Sequence, residues 1–391
     1  MKICFITHSI FTLGGVQRVL SVVASKLAEN HTVDILCTSN ESDLDKGIYN
    51  ISSKIKINYI LDNIGKIGKE PLYCKFGRGV NKNTNIFNRR CFVPFLSKMY
   101  FTKGFEEQII QYINSKDYDI VIGVEGRNSI LLGKISDKIK AKTIGWQHNS
   151  FDAYFKTPQK YLWHQDEMYK KYAVRLDGYV VLTDSDKKNI KEQFKLNAVR
   201  IYNPLSFTSN KKSECKNKKI ISVGRLTEQK GFDLLIKAFS YIANENKEWS
   251  LEIIGDGTDK IKLEELISKL NLSEQVNIRP FTNNIQECYI DSSIFVSSSR
   301  WEGFGLVITE AMECGLPIIA FDNSGPKEII NEHNGILVPC GNEKKLADSI
   351  NELIKDKDKL KKLSTESIIR ASDFKIDNII RQWEQLFNNI H

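Results

Sequence analysis

Short apolar runs alternate along this chain with longer stretches in which apolar residues recur every three or four positions. KICFIT (2–7), VDILCT (33–38), DIVIGV (119–124), KTIGWQ (142–147) and GYVVLT (178–183) occupy the first half. KIISVG (219–224), LEIIG (251–255), VNIRP (276–280), SIFVSS (293–298), PIIAF (317–321) and GILVP (335–339) occupy the second. Runs apolar on both faces predict strands covered on both sides. The helical periods between them, such as Gln17 to Ala28 and Asn128 to Ile139, predict the crossovers of βαβ units. The pattern lapses in NPLSFTSNKKSECKNKK (203–219), which is rich in Ser, Asn and Lys and reads as a linker. A chain of 391 residues also exceeds one ordinary core. The predicted organisation is therefore an α/β protein with a Rossmann-like domain over 1–203, a linker over 204–218 and a second Rossmann-like domain over 219–373. A helical segment over 374–391 is free to pack back on the first domain.

Composition narrows the class. An apolar share of 41% with 27% charged residues describes a globular chain, not a disordered one. No apolar run approaches the ~20 residues that span a bilayer, and the apolar stretch in MKICFITHS is too short for a signal peptide. Eight cysteines occur without a C-x-x-C pair, which suits buried, reduced thiols in a cytoplasmic protein.

Charge is unevenly placed. The net +8 divides into an N-terminal half with 31 Lys/Arg against 20 Asp/Glu and a C-terminal half with a slight acidic excess. Between Pro71 and Phe105 lie Lys75, Arg78, Lys82, Arg89, Arg90, Lys98 and Lys103 with no acidic residue, interleaved with Tyr73, Phe76, Phe87, Phe92, Phe95, Tyr100 and Phe101. Cations beside aromatics suit the surface of an anionic membrane. No nucleic-acid motif accompanies them.

The chemistry lies just past the strands. After IISVG come Arg225-Leu226-Thr227-Glu228-Gln229-Lys230-Gly231, which puts two cations beyond a strand's C-terminal end. A diphosphate there would gain charge-assisted hydrogen bonds from Arg225 and a point charge from Lys230. LEIIG ends in Gly255-Asp256-Gly257, but Lys260 stands where a dinucleotide fingerprint needs its last glycine. Those glycines form a turn or let a base approach the backbone. After the strand around Val296 comes Trp301-Glu302-Gly303-Phe304-Gly305, then a predicted helix from Leu306 to Cys314 closed by Gly315. Gly303 and Gly305 leave the N–H groups of Phe304, Gly305 and Leu306 able to face an anion. Glu310 lies about 7.5 Å along the helix, with Glu302 across the bend. A ligand with a central diphosphate and a hydroxylated ring at each end fits this layout, since carboxylates accept from ring hydroxyls.

At these residues the chain resembles the family 4 retaining glycosyltransferases of GT-B architecture, glycosyl transferases group 1. The carrying segments are GGVQRVL, GWQHN, SVGRLTEQKGFDLLIKAF, IIGDG, SSRWEGFGLVITEAMECGLPIIA and GPKEII. Glu302 and Glu310, eight positions apart, satisfy the family's E-x7-E pattern. The resemblance implies two Rossmann-like domains facing each other across a cleft. It implies Arg225 and Lys230 on the donor diphosphate, Glu310 on the ribose and Glu302 on the transferred sugar. It also implies Phe304, Gly305 and Leu306 at the phosphates, Gly255 near the base, Gly14 and Gly15 in the glycine-rich loop after the first strand, and His148 near the donor sugar. Arg18 faces acceptor or phosphate, or only the helix surface. Gln17 stands where many relatives carry Glu.

Asp184-Ser185-Asp186 spells the D-x-D metal signature of a different architecture, but it follows a strand and opens a helix. It is read as an N-cap. No metal and no cofactor are expected, because the nucleotide-sugar is a substrate and Arg225 with Lys230 supplies the positive charge.

The expectation is a retaining hexosyltransferase moving sugar from a nucleotide-sugar, UDP-linked by preference, to a glycan or lipid-linked acceptor in capsule, exopolysaccharide or wall-glycan synthesis. It would be cytoplasmic, with peripheral attachment at the inner membrane face through residues 71–105. Two other readings stay open: a nucleotide-sugar epimerase of the same architecture, and a non-catalytic nucleotide-sugar-binding subunit.

Overall fold

The computed structural model describes residues 1–12, 14–39, 49–60 and 71–390. They divide into two compact units. One comprises Met1–Pro204 together with Ile376–His391, the other Leu205–Lys375.

The first unit is built on strands β1 (Lys2–Thr7), β2 (Thr32–Cys37), β3 (Lys56–Tyr59), β4 (Ile120–Val124), β5 (Lys142–Trp146), β6 (Gly178–Val181) and β7 (Val199–Arg200). They form one parallel sheet in the order β3-β2-β1-β4-β5-β6-β7. The second unit carries β8 (Lys219–Val223), β9 (Ser250–Ile254), β10 (Val276–Arg279), β11 (Ile294–Ser297), β12 (Ile318–Asp322) and β13 (Gly335–Pro339). These are parallel too, in the order β10-β9-β8-β11-β12-β13. In each sheet the winding direction reverses once, between β1 and β4 and between β8 and β11. Ligands of such sheets bind beyond the strand ends at that reversal.

All eleven runs that read as strands in the sequence are strands. β3 and β7 were not legible: β3 is a partly exposed edge segment, KINY, and β7 has two residues. The helix expected from Asn128 begins instead at Glu125 and ends at Ile135. In the stretch that reads as a linker, Ser209 and Ser213 are buried. The Ser209 N–H donates to the Glu313 carboxylate at 2.9 Å, and Lys212 Nζ pairs with that carboxylate at 2.8 Å. This stretch therefore lies along the second unit.

The final helix, Ile376–Ile390, belongs to the first unit and packs on the helix Gly15–Leu27. It buries Ile379, Ile380, Trp383, Leu386 and Phe387. Trp383 meets Trp146 of β5 edge-on with ring centroids 4.9 Å apart. Glu384 pairs with His31 at 2.7 Å and Asp377 with Lys26 at 3.2 Å. All eight cysteines are free thiols. Among the described residues no helix is long and apolar enough to cross a membrane.

Candidate functional site

In the second unit, β8 and β11 lie side by side at the reversal, and the loops beyond them are fastened together. The Arg300 N–H donates to the Gln229 carbonyl at 2.7 Å, and Gln229 Nε2 donates to the Trp301 carbonyl at 3.1 Å. Arg300 also grips Asp233 through both guanidinium nitrogens, at 2.9 and 2.8 Å. This bidentate contact holds the Asp233 carboxyl below its usual range against the opposing effect of burial. Glu302 accepts from Ser324 Oγ through its carbonyl at 3.2 Å, which ties the bend to the strand end of β12.

The predicted residues fall unequally in this frame. Arg225 is exposed, and its side chain makes no hydrogen bond or ion pair among the described residues. Lys230 does not stand apart as a point charge. It forms an ion pair with Glu302, both side chains about one-sixth exposed, so each neutralises the other. Gly305 precedes the helix Leu306–Glu313, and the amides of Gly305 and Leu306 meet no acceptor among the described residues. Phe304 is buried, its ring edge-on to Phe374 at 5.7 Å.

Glu310 is only 1% exposed. Ser206 Oγ donates to one carboxylate oxygen at 2.6 Å and the Tyr289 hydroxyl to the other at 3.2 Å. Hydroxyl donors thus already occupy both oxygens, as sugar hydroxyls would. Gly255 lies against backbone: a Cβ there would come within 1.9 Å of the Gly224 carbonyl oxygen, so this glycine fits the β9 loop onto the β8 loop. Ser206 and Tyr289 carried no sequence signal, because one lies in the linker-like stretch and the other reads as an ordinary helical aromatic.

In the first unit, Gly14 and Gly15 open the helix Gly15–Leu27 beyond β1, with the Gly14 N–H on the Tyr49 hydroxyl at 3.2 Å. Gln17 donates to the Ser9 carbonyl at 3.3 Å, a contact internal to that loop. Arg18, the next residue, lies one turn past Gly14 and donates its backbone N–H to the Gly14 carbonyl at 3.3 Å. His148 follows β5 and is 8% exposed, with its ring 4.2 Å from that of Trp146. Burial pulls its pKa down to about 3, and Nε2 has no hydrogen-bond partner among the described residues. His148 is therefore a neutral imidazole with one unsatisfied ring nitrogen, not a proton donor at neutral pH. Asp184 and Asp186 behave as expected of a helix start, with one correction. The N-cap is Thr183, whose Oγ1 accepts from the Asp186 N–H at 3.0 Å. Buried Asp186 accepts instead from the Phe151 N–H at 2.7 Å and from the Thr183 hydroxyl at 2.8 Å.

Residues 207–369 match the family described as Glycosyl transferases group 1. The matched segment spans most of the second unit and contains Arg225, Lys230, Gly255, Glu302, Gly305 and Glu310. Over its whole length the chain is similar to a Haemophilus influenzae protein described as an uncharacterized glycosyltransferase, 29% identical across 98% of this chain and 99% of the relative. It is also similar to the amylovoran biosynthesis glycosyltransferase AmsD of Erwinia amylovora, 26% identical across 99% of each. Among solved structures, Anabaena HepE in complex with UDP superposes with a TM-score of 0.77 at 18% identity, covering all of both chains. The two Rossmann-like sheets are those of the GT-B architecture.

Proposed function

We propose that this protein is a metal-independent retaining glycosyltransferase that takes sugar from a UDP-sugar to a hydroxyl of a cell-surface glycan or its lipid-linked precursor. One observation carries the reading. The segment that matches the group 1 family gathers Arg225, the Lys230–Glu302 pair and the unpaired amides of Gly305 and Leu306 at the reversal of a parallel sheet. Cations and amides suit a diphosphate, and carboxylates suit the hydroxylated rings at its two ends. Arg225 and Lys230 then stabilise the departing nucleoside diphosphate, which takes the acceptor's proton on the same face. Glu302 binds the transferred sugar and Glu310 the ribose, exchanging the Ser206 and Tyr289 hydroxyls for those of the sugar. The relative named for amylovoran biosynthesis supports a surface-glycan acceptor.

A cytoplasmic enzyme acting on lipid-linked glycans needs to reach the membrane. The helices Leu72–Thr84 and Val93–Tyr100 support this: Leu72 is 86% exposed, Phe76 76% and Tyr73 60%. Phe92 and Phe95 are exposed with them, beside exposed Lys75, Arg89, Arg90, Lys98 and Lys103. We propose that this face rests on anionic lipid.

The donor reading is tested by thermal-shift titration with UDP, GDP, ADP and their sugar conjugates. A ligand at ~100 times its Kd stabilises by about 2.7 kcal/mol. UDP and UDP-sugars should raise the melting temperature, and Arg225→Ala should lower transfer more than UDP affinity. No shift with any nucleotide at millimolar concentration would sink the reading.

A further inference from the structure

Glu125 sits where β4 turns into the helix Glu125–Ile135, beside the sheet reversal, with its backbone at φ +70°. A residue with a side chain is uncommon in this left-handed region, and such residues persist where the surroundings over-determine them. Here the surroundings do so. A Cβ on Gly123 would come within 2.7 Å of the Asn128 carbonyl oxygen, so helix and strand are packed backbone to backbone. Asn128 Nδ2 donates to the Val124 carbonyl at 2.8 Å. Ser129 Oγ is bonded to the carbonyls of Glu125, at 3.0 Å, and Gly123, at 3.2 Å. The Gly126 N–H donates to the Tyr154 hydroxyl at 3.1 Å. A strand, a sharp turn and a helix thus fix one side chain at the strand's end, as nucleophile elbows do.

That side chain is a carboxyl with no hydrogen bond or ion pair among the described residues, partly open to the surface. Burial pushes its pKa up to about 7. The titratable groups around it do not neutralise it. The Tyr154 hydroxyl stays un-ionised through burial, His148 stays neutral, and Arg127 turns to the Tyr100 carbonyl at 3.3 Å. β5 is the next strand, pairing Trp146 with Val124, so His148 with its unsatisfied Nε2 lies just past the adjacent strand end. The Tyr154 hydroxyl spans the two, in contact with the backbone of Gly126 and of His148.

We propose that Glu125 is an acceptor-binding residue of the N-terminal unit, taking a hydrogen bond from a hydroxyl of the sugar acceptor, with His148 as its polar neighbour and Tyr154 as the positioning residue that locks the corner. This rests on the glycosyl-transfer reading above. The strain then has a purpose: glycine would hold the corner more easily, and only the carboxyl needs to be there.

The test uses the full chain with UDP present and methyl glycosides of glucose, galactose and N-acetylglucosamine as probes, observed by saturation-transfer NMR. Wild type should bind at least one glycoside, more tightly as pH rises through 7 and the carboxyl ionises. Glu125→Gln should bind it about tenfold more weakly, the worth of one charged hydrogen bond, without that pH dependence. Glu125→Gly should melt no lower than wild type yet lose the glycoside, and UDP affinity should stay unchanged in both variants. Equal glycoside affinity in wild type and Glu125→Gln would overturn the proposal, as would a Glu125→Gly variant that melts lower while binding the glycoside normally. If wild type binds UDP but no glycoside, this inference fails and the donor reading stands. If it binds neither, the donor reading fails and takes this inference with it.

Discussion

Lys230 and Glu302 neutralise each other, and on the proposed reading a diphosphate would compete with Glu302 for the ammonium. Glu302→Gln removes the competitor. UDP should bind Glu302→Gln as tightly as wild type or more so, while sugar transfer falls; calorimetry against kinetics separates the two. The variant should also melt lower without UDP, because a largely buried cation has lost its partner, and UDP should restore it. Weaker UDP binding would mean that Glu302 does more than hold Lys230. Two other residues tie stability to pH in opposite directions. An unfolded chain ionises Glu125 near ~4.3, whereas the folded protein holds its proton to about 7, so stability falls as pH rises between those values. The melting temperature of Glu125→Gln relative to wild type should therefore be higher at about pH 8 than at about pH 5. His148 runs the other way. Unfolded, it takes a proton near ~6.5, but folded only near 3, so its contribution is lost as pH falls through that range. His148→Phe should unfold less readily in mild acid than wild type, as read by circular dichroism.

Among the elements, the helix Ile376–Ile390 reaches furthest. Trp383 packs on Trp146, and Trp146 packs on His148, so a helix at the end of the chain supports a candidate site residue two rings away. Trp383→Ala should cost about 3–5 kcal/mol in urea unfolding and broaden the His148 imidazole resonance. The helix itself was legible, since its apolar positions recur at helical spacing. Its partners were not, because nothing in FKIDNIIRQWEQLF names the helix Gly15–Leu27 or Trp146 of β5. The same division holds elsewhere. Double-faced apolar runs announced eleven strands, while KINY at a sheet edge buries too little to show a pattern. GRLTEQKG and EGFGLVITEAMECGLP marked the candidate donor loops by their glycines and charges. Glu310 drew attention that way, but not the Ser206 hydroxyl from 104 residues earlier that donates to it. Glu125 stayed hidden because a left-handed glutamate has no compositional signature; only the backbone angle reveals it.

Over the whole molecule, charge and apolar exposure coincide. The basic excess of the N-terminal half and its exposed aromatics meet on the helices Leu72–Thr84 and Val93–Tyr100. Each cation near an anionic surface contributes roughly 1 kcal/mol, and buried aromatic side chains add to it. Flotation with phosphatidylglycerol vesicles should carry the protein upward. Phe76→Asp with Phe95→Asp should abolish this while leaving UDP binding intact, and moderate salt should weaken it. Equal flotation with neutral phosphatidylcholine would remove the electrostatic part of the claim.

The return of the last helix to the first unit also sets an order of events at the ribosome. The first sheet emerges early, yet Trp383, which packs on Trp146 of β5, lies beyond Lys375, behind the whole second unit. At ~5–20 residues per second, Leu205 to Lys375 take on the order of 10–30 s to synthesise. Throughout that interval Trp146 and its neighbours wait without Trp383. The newborn N-terminal unit should therefore stay open to chaperones and proteases until Trp383 has emerged, and a ribosome stalled anywhere in the second unit should release a chain whose first unit never finishes folding.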